Sequence, residues 1–254
     1  MTQEEPFYLP PFLYRLACAR GEEIVGMVIL RPFDENLLDV GRRLYDFYGL
    51  RDFAVECLHF VWAKTLDFVN RAWPMSRPYS ASDVARRCEI PIYRPRDINA
   101  PEFVQILRED VRPGLLVSVA ASQILKQEVL AIPPLGCINV HSAPLPKYQG
   151  MMPSFWAMAN GEAETAVTVH YMVEALDAGD IILQEPVPIY EHDTLTSLIV
   201  RSKEIGVQAL LKAVSEIDSG TVNAYPMPME EATYFSFPKR EDGERFRLQG
   251  RCFR

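Results

Sequence analysis

The chain is poor in cysteine and has no stretch built for a membrane. Its five cysteines in 254 residues (Cys18, Cys57, Cys88, Cys137 and Cys252) are scattered, with no C-x-x-C pair. An odd count without ligand spacing excludes a disulfide framework and gives no metal motif, and it predicts reduced thiols in a cytoplasmic protein. No apolar run approaches the ~20 residues that span a bilayer. The opening "MTQEEPFYLPPF" is acidic where a secretory signal would be basic and then apolar. Positive charge is also in deficit: 26 Lys+Arg against 34 Asp+Glu leave −8 at neutral pH, which counts against a nucleic-acid substrate. Internal repeats, low-complexity segments and a G-x-S-x-G nucleophile elbow are all missing.

What is present is an ordinary globular composition, 48% hydrophobic and 24% charged, enough for one large domain with or without an appendage. Residues 9–21 read as a helix and 23–32 as a buried strand closed by a proline. Residues 37–73 carry apolar positions at helical spacing, with Gly49 expected to divide them into two helices. Helix and strand then alternate: "SASDVARRCE", "IPIYRP", "APEFVQILRED", "GLLVSVA", "QILKQEVLAI" and "GCINV". That rhythm predicts an α/β domain, a mostly parallel sheet with helices on both faces. Another helix ("PSFWAMANG"), two strands ("AVTVHYM" and "DIILQEPVPI") and a long helix over 194–217 follow, and the remaining tail reads as irregular. The organisation expected is a domain over 1–190 containing the 37–73 insertion, with the helix and tail of 191–254 packed on it.

Chemistry concentrates in "CINVHSAPLPKYQG", residues 137–150, and in "VEALDAGDIILQ", residues 173–184. Side chains alternate along a strand, so Asn139 and His141 point to one side. Both stand at a strand's carboxyl end, where open α/β sheets bind ligands. Pro144, Pro146 and Gly150 build a constrained turn after them, and Asp177 lies in a glycine turn ahead of the next strand. An amide donor, an imidazole and a carboxylate suit attack on a carbonyl without a protein nucleophile. Ser142 adjoins His141 in the chain, so on a strand it faces away, which argues against a Ser-His-Asp hydrolase.

These segments closely resemble the core of the folate-dependent formyltransferases, the family of methionyl-tRNA formyltransferase, glycinamide ribonucleotide transformylase and the sugar N-formyltransferases. The likeness rests on N-x-H, the Leu-Pro turn with its glycine, the strand ending at His170, and L-D-x-G; it is strong over 120–190. It implies a Rossmann-like formyltransferase fold and Asn139, His141 and Asp177 as catalytic residues. It also implies 10-formyltetrahydrofolate as donor, with Ser122, Gln123, Ile124 and Leu125 cradling its pterin and Val173, Glu174, Ala175 and Leu176 closing over it. Ala143, Tyr148, Gln149, Gly150 and His170 fall on the acceptor side. There the chain departs from the family: Ala143 replaces a serine, Gln149 an arginine, and Ala166 a glycine.

The resemblance leads to a small-molecule amine acceptor, foremost a nucleotide-linked amino sugar. Alternatives are methionyl-tRNA, a hydrolase using water in place of the amine, and a folate-binding homologue without turnover. Nucleic acid and membrane partners are not expected. The 37–73 helices are expected to bury against the body or to form a homodimer. Trp62 and Trp73 read as core or interface, Cys137 as a buried small residue, and 237–242 as a solvated turn. The family's opening strand is expected to be missing, because "TQEEPFYLPPFLYRLACARG" already reads as the turn and helix that follow it, leaving 24–30 and 114–120 beside a gap.

Overall fold

The computed structural model describes residues 1–31, 36–73 and 75–254. Its elements run β1 (Thr2–Gln3), α1 (Leu9–Arg20), β2 (Met27–Leu30), α2 (Leu37–Ala72), α3 (Ala81–Arg87), β3 (Ile92–Tyr93), α4 (Pro101–Ile106), β4 (Leu116–Val119) and α5 (Gln127–Leu130). They continue as β5 (Cys137–His141), β6 (Gln149–Gly150), α6 (Pro153–Ala159), β7 (Glu164–Tyr171), β8 (Ile181–Pro188), α7 (Leu195–Asp218), β9 (Tyr234–Phe235) and α8 (Arg240–Leu248).

The strands pair in the orders β3-β2-β1 and β4-β5-β7-β8. Met1 joins the two sets: its ammonium donates to Val117 O at 2.5 Å and its carbonyl accepts from Val119 N at 2.9 Å. β1, β2 and β3 run parallel, as do β4 and β5, while β7 is antiparallel to both β5 and β8. The expectation of an absent first strand is therefore corrected in part: no full strand opens the chain, but the place between β2 and β4 is not a gap. Residues 1–3 lie between β2 and β4 as a short strand, and its backbone groups are spent on both neighbours.

Alternation along the strands sends side chains into two cores. Met27, Ile29, Val119, Ile138 and Val140 face α1, α3, α6, α7 and α8. Val28, Leu30, Leu116 and Cys137 face Phe103, Val104, Leu107 and Val129 on the other side. Burial pushes the Cys137 thiol up to about 12, so it stays protonated and is no nucleophile.

Local chemistry explains the helix ends. The Glu5 carboxylate accepts the leading N–H groups of Phe7, Tyr8 and Leu9 at 2.5–2.8 Å, opening α1 just before Pro10 and Pro11. Gly49 breaks α2 with φ 69° and ψ 172°, so the segment is two helices meeting at a corner. The helix expected over 123–132 shrinks to Gln127–Leu130.

The C-terminal tail needs correction too. It is not wholly irregular: it contributes β9 and α8, and residues 240–242 form the first turn of α8 where a solvated turn was expected. Phe246 and Phe253 bury themselves with Phe47 and Phe155, ring centroids 4.9–5.1 Å apart along the cluster. Gly243 lets α8 approach α2 so closely that a Cβ there would collide with the carbonyl oxygen of Phe47. Gly243→Ala is expected to cost about 1–3 kcal/mol of stability through overpacking, measured by urea denaturation, whereas Gly21→Ala, with open space around it, should change little.

Candidate active site

The site begins with the register of β5 against β7. Asn139 stands opposite His170 and His141 opposite Thr168, so two polar pairs lie side by side across the two strands. His170 is buried, and its Nδ1 lies 2.7 Å from Tyr171 O and 3.2 Å from Ala178 O. Those carbonyls fix the proton on Nδ1, which leaves Nε2 to accept from Asn139 Nδ2 at 3.3 Å. One N–H of the Asn139 amide is thereby used for orientation, and the amide keeps a second to offer a ligand.

His141, also buried, is held between two oxygens. Its Nε2 is 2.9 Å from Tyr148 O and its Nδ1 is 3.5 Å from Asp177 Oδ1. The other oxygen of Asp177 accepts the Gly150 N–H at 2.8 Å, and Gln149 Nε2 donates to the Asp177 carbonyl at 3.0 Å. Asp177 adopts a left-handed backbone at φ 47°, and Tyr148 does so at φ 60°. Such angles are uncommon outside glycine and persist where surroundings over-determine them. The two loops lock each other.

The structure thus brings the expected trio together and puts the residues expected on the acceptor side behind it. Ala143 is buried, its carbonyl accepting from Thr168 Oγ1 at 2.6 Å. The Tyr148 ring stacks on Phe235, and its hydroxyl donates to Glu162 at 2.6 Å. Gln149 and Gly150 form β6 against β9, and a Cβ on Gly150 would strike Phe235 O. These residues wall the trio from behind.

The two segments expected to hold the donor lie together. Gln127 N donates to Glu174 Oε1 at 3.1 Å across them. Ser122 Oγ donates to Arg31 O at 2.6 Å, and Gln123 takes the Ile98 N–H and donates to Arg96 O. Leu125 is in the core, whereas Ile124, Val173, Ala175 and Leu176 are exposed. This apolar rim above a hydrogen-bonded loop has the character of a surface for a flat heteroaromatic ring. Among the described residues no cluster of His, Cys, Asp and Glu could hold a metal ion.

Residues 70–214, more than half of the chain, match the family model described as formyl transferase. The chain belongs to that family. It is 34% identical over 205 residues to methionyl-tRNA formyltransferase of Kosmotoga olearia, covering 77% of this chain and 66% of that protein. The same enzyme of Acetivibrio thermocellus is 40% identical over 197 residues, with coverages of 74% and 63%. This member of the formyl transferase family spans between about half and two thirds of the length of such curated relatives. Among solved structures, an N-formyltransferase of Helicobacter canadensis with folinic acid and dTDP-3-aminofucose superposes with TM-score 0.58 at 18% identity, covering 91% of this chain and 66% of that one. A sugar N-formyltransferase of Shewanella gives 0.56 at 17%, with coverages of 90% and 72%. At those identities the likeness is one of fold.

Sequence reading missed Thr168 and Gln184. Thr168 Oγ1 accepts from Leu145 N and from Gln184 Nε2 while donating to Ala143, and Gln184 also reaches Leu145 O. The available signal was the T-x-H spacing of Thr168 and His170, which mirrors N-x-H across the strand pair.

Desolvation by burial holds His170 below its ordinary 6.5, against the hydrogen bonds to the Tyr171 and Ala178 carbonyls, which favour the charged form. As pH falls past 6.5 the unfolded chain takes up this proton and the folded chain does not, so the stability tied to neutral His170 is complete above 6.5 and is lost on acidification toward the folded value. His170→Gln is expected to be less stable at neutral pH, yet to lose less stability than the wild type between about pH 7.5 and pH 5, by denaturant titration at each pH.

Proposed function

We propose that this chain transfers a formyl group from 10-formyltetrahydrofolate to a primary amine of a small molecule, foremost an amino sugar carried on a nucleotide. The observation that carries the reaction is the convergence of Asn139, His141 and Asp177 at the carboxyl end of β5, with His141 Nδ1 3.5 Å from the Asp177 carboxylate. In this reading the acceptor nitrogen attacks the formyl carbon, and negative charge grows on the formyl oxygen. Asn139 offers that oxygen its second N–H. His141 offers the ring N–H that otherwise meets Tyr148 O. The bond from the formyl carbon to the folate nitrogen then breaks, the leaving nitrogen gains a proton and the new amide loses one. Asp177 holds the imidazole in place, stabilises it when charged, and stands where a proton from the amine can be received.

The donor would lie on Ile124, Val173 and Leu176, whose loops are already tied through Gln127 and Glu174. For the acceptor, Pro146–Glu162 resembles the sugar-modifying branch, and a net charge of −8 disfavours a polyanion. A second reading, methionyl-tRNA, has the support of curated relatives 34–41% identical that carry that name.

The deciding experiment offers 10-formyltetrahydrofolate with nucleotide-linked amino sugars, free amino sugars, methionyl-tRNA and no amine, and follows release of tetrahydrofolate. Product from an amino-sugar nucleotide supports the proposal. Preference for methionyl-tRNA selects the second reading, and equal release without amine indicates hydrolysis. On the true acceptor, Asn139→Ala is expected to lower turnover ~10²–10³-fold. His141→Ala and Asp177→Asn should each remove most of it while circular dichroism stays unchanged. Near-normal turnover in any of the three would overturn the assigned roles.

A further inference from the structure

The second half of α2 is amphipathic in the reverse sense. Its inward side carries Asp52, Glu56, Asp67 and Asn70. Glu56 pairs with Arg254 at 2.5 Å, Asp67 accepts from Ser80 Oγ at 2.6 Å, and Asn70 donates to Asp83 at 2.7 Å. Its outward side carries Ala54, Leu58, Val61, Thr65, Phe68 and Ala72, all exposed. Leu58 is 70% accessible, Val61 62%, Phe68 73%, and the flanking Trp62 63%. Aromatic residues that read as core or interface are therefore not in the core. A surface stripe of this kind marks a contact face.

The spacing within the stripe identifies the shape of the occupant. Steps of four and three alternate from 54 to 72, the heptad seam along which one helix packs against another. Thr65 fits such a seam because its hydroxyl donates back to Val61 O at 2.9 Å. The seam is also complementary to itself in the antiparallel sense. A two-fold axis at position 63 sets Ala54 against the partner's Ala72, Leu58 against the partner's Phe68, and Val61 against the partner's Thr65. One flank then brings Trp62 beside the partner's Trp62. The other brings Lys64 toward the partner's Lys64, at the solvent rim.

We propose that two copies of this chain associate through residues 54–72 of α2, antiparallel about position 63. Aromatic side chains present about 150–250 Å² each, so at these exposures the stripe and its flanks offer on the order of 600 Å² per copy. A pair buries about 1,200 Å², which reaches the range of specific interfaces. Arg71 is already paired with Asp67 at 3.3 Å, so the like charge set face to face at the rim is that of the two Lys64 side chains, which salt screens. Association therefore strengthens as salt rises.

Sedimentation of the full chain over micromolar to millimolar concentration tests the pairing. The expected result is a concentration-dependent dimer that tightens between about 50 and 500 mM salt. Leu58→Glu and Phe68→Glu should each weaken it roughly 100-fold while the melting temperature of the monomer holds. Orientation is read from a chain with Cys18, Cys57 and Cys252 changed to serine and with Ala54→Cys and Ala72→Cys introduced. Mild oxidation should join residue 54 of one copy to residue 72 of the other, mapped by peptide mass. A strict monomer at all concentrations, a dimer indifferent to both glutamate variants, or disulfides joining 54 to 54 and 72 to 72 would overturn the proposal. So would a monomer that co-sediments with anionic phospholipid vesicles, which would make the face a membrane surface.

Discussion

The carboxylate of Asp177 has to sit beside His141 in a nearly dry corner of the molecule, and a buried anion is tolerated only when its oxygens are satisfied. One oxygen faces the imidazole and the other takes the Gly150 N–H. That second bond requires the chain to turn sharply at Tyr148–Gly150, with left-handed angles on a tyrosine and on a glycine, and to lie flat against Phe235. The turn is therefore built around the charge. Its position in turn decides where β5 ends, where His141 points and which carbonyl meets the ring. Gly179 belongs to the same constraint: a Cβ there would collide with Tyr171 O, so the loop that carries Asp177 closes only with glycine at this position.

Much of this arrangement was readable beforehand, for a physical reason. Period-two alternation puts Asn139 and His141 on one side whatever the tertiary structure, and prolines and glycines announce the turn that follows. The break at Gly49 was equally local. Position-specific chemistry at short range survives translation into sequence. The link from Asn139 to His170 did not, since register between strands 31 residues apart is set by packing and not by composition.

The errors share a cause as well. Residues 1–3 hold too few side chains to show a strand pattern, yet their backbone fills the sheet because both neighbours supply partners. The tail read as irregular because α8 is dominated by charged residues, with only Phe246 and Gly243 turned inward. Its docking depends on Phe47, nearly two hundred residues away: Gly243 packs on the Phe47 carbonyl, and Phe253 bridges the Phe47 and Phe246 rings. Windows of a dozen residues cannot register such pairings.

The strap formed by β9 has a consequence for how the molecule comes into being. Thr233 accepts the Tyr148 N–H on its hydroxyl and the Gln149 N–H on its carbonyl, while Ser236 O takes the Trp156 indole. The turn at Tyr148–Gly150, which holds the Asp177 carboxylate, is thus clamped by residues made about eighty positions later. During synthesis the sheet through β8 can assemble while the ribosome still holds this strap, and at that stage the turn has no backing. The turn therefore gains its backing only after residues 233–236 have been made, later than the sheet on which it lies.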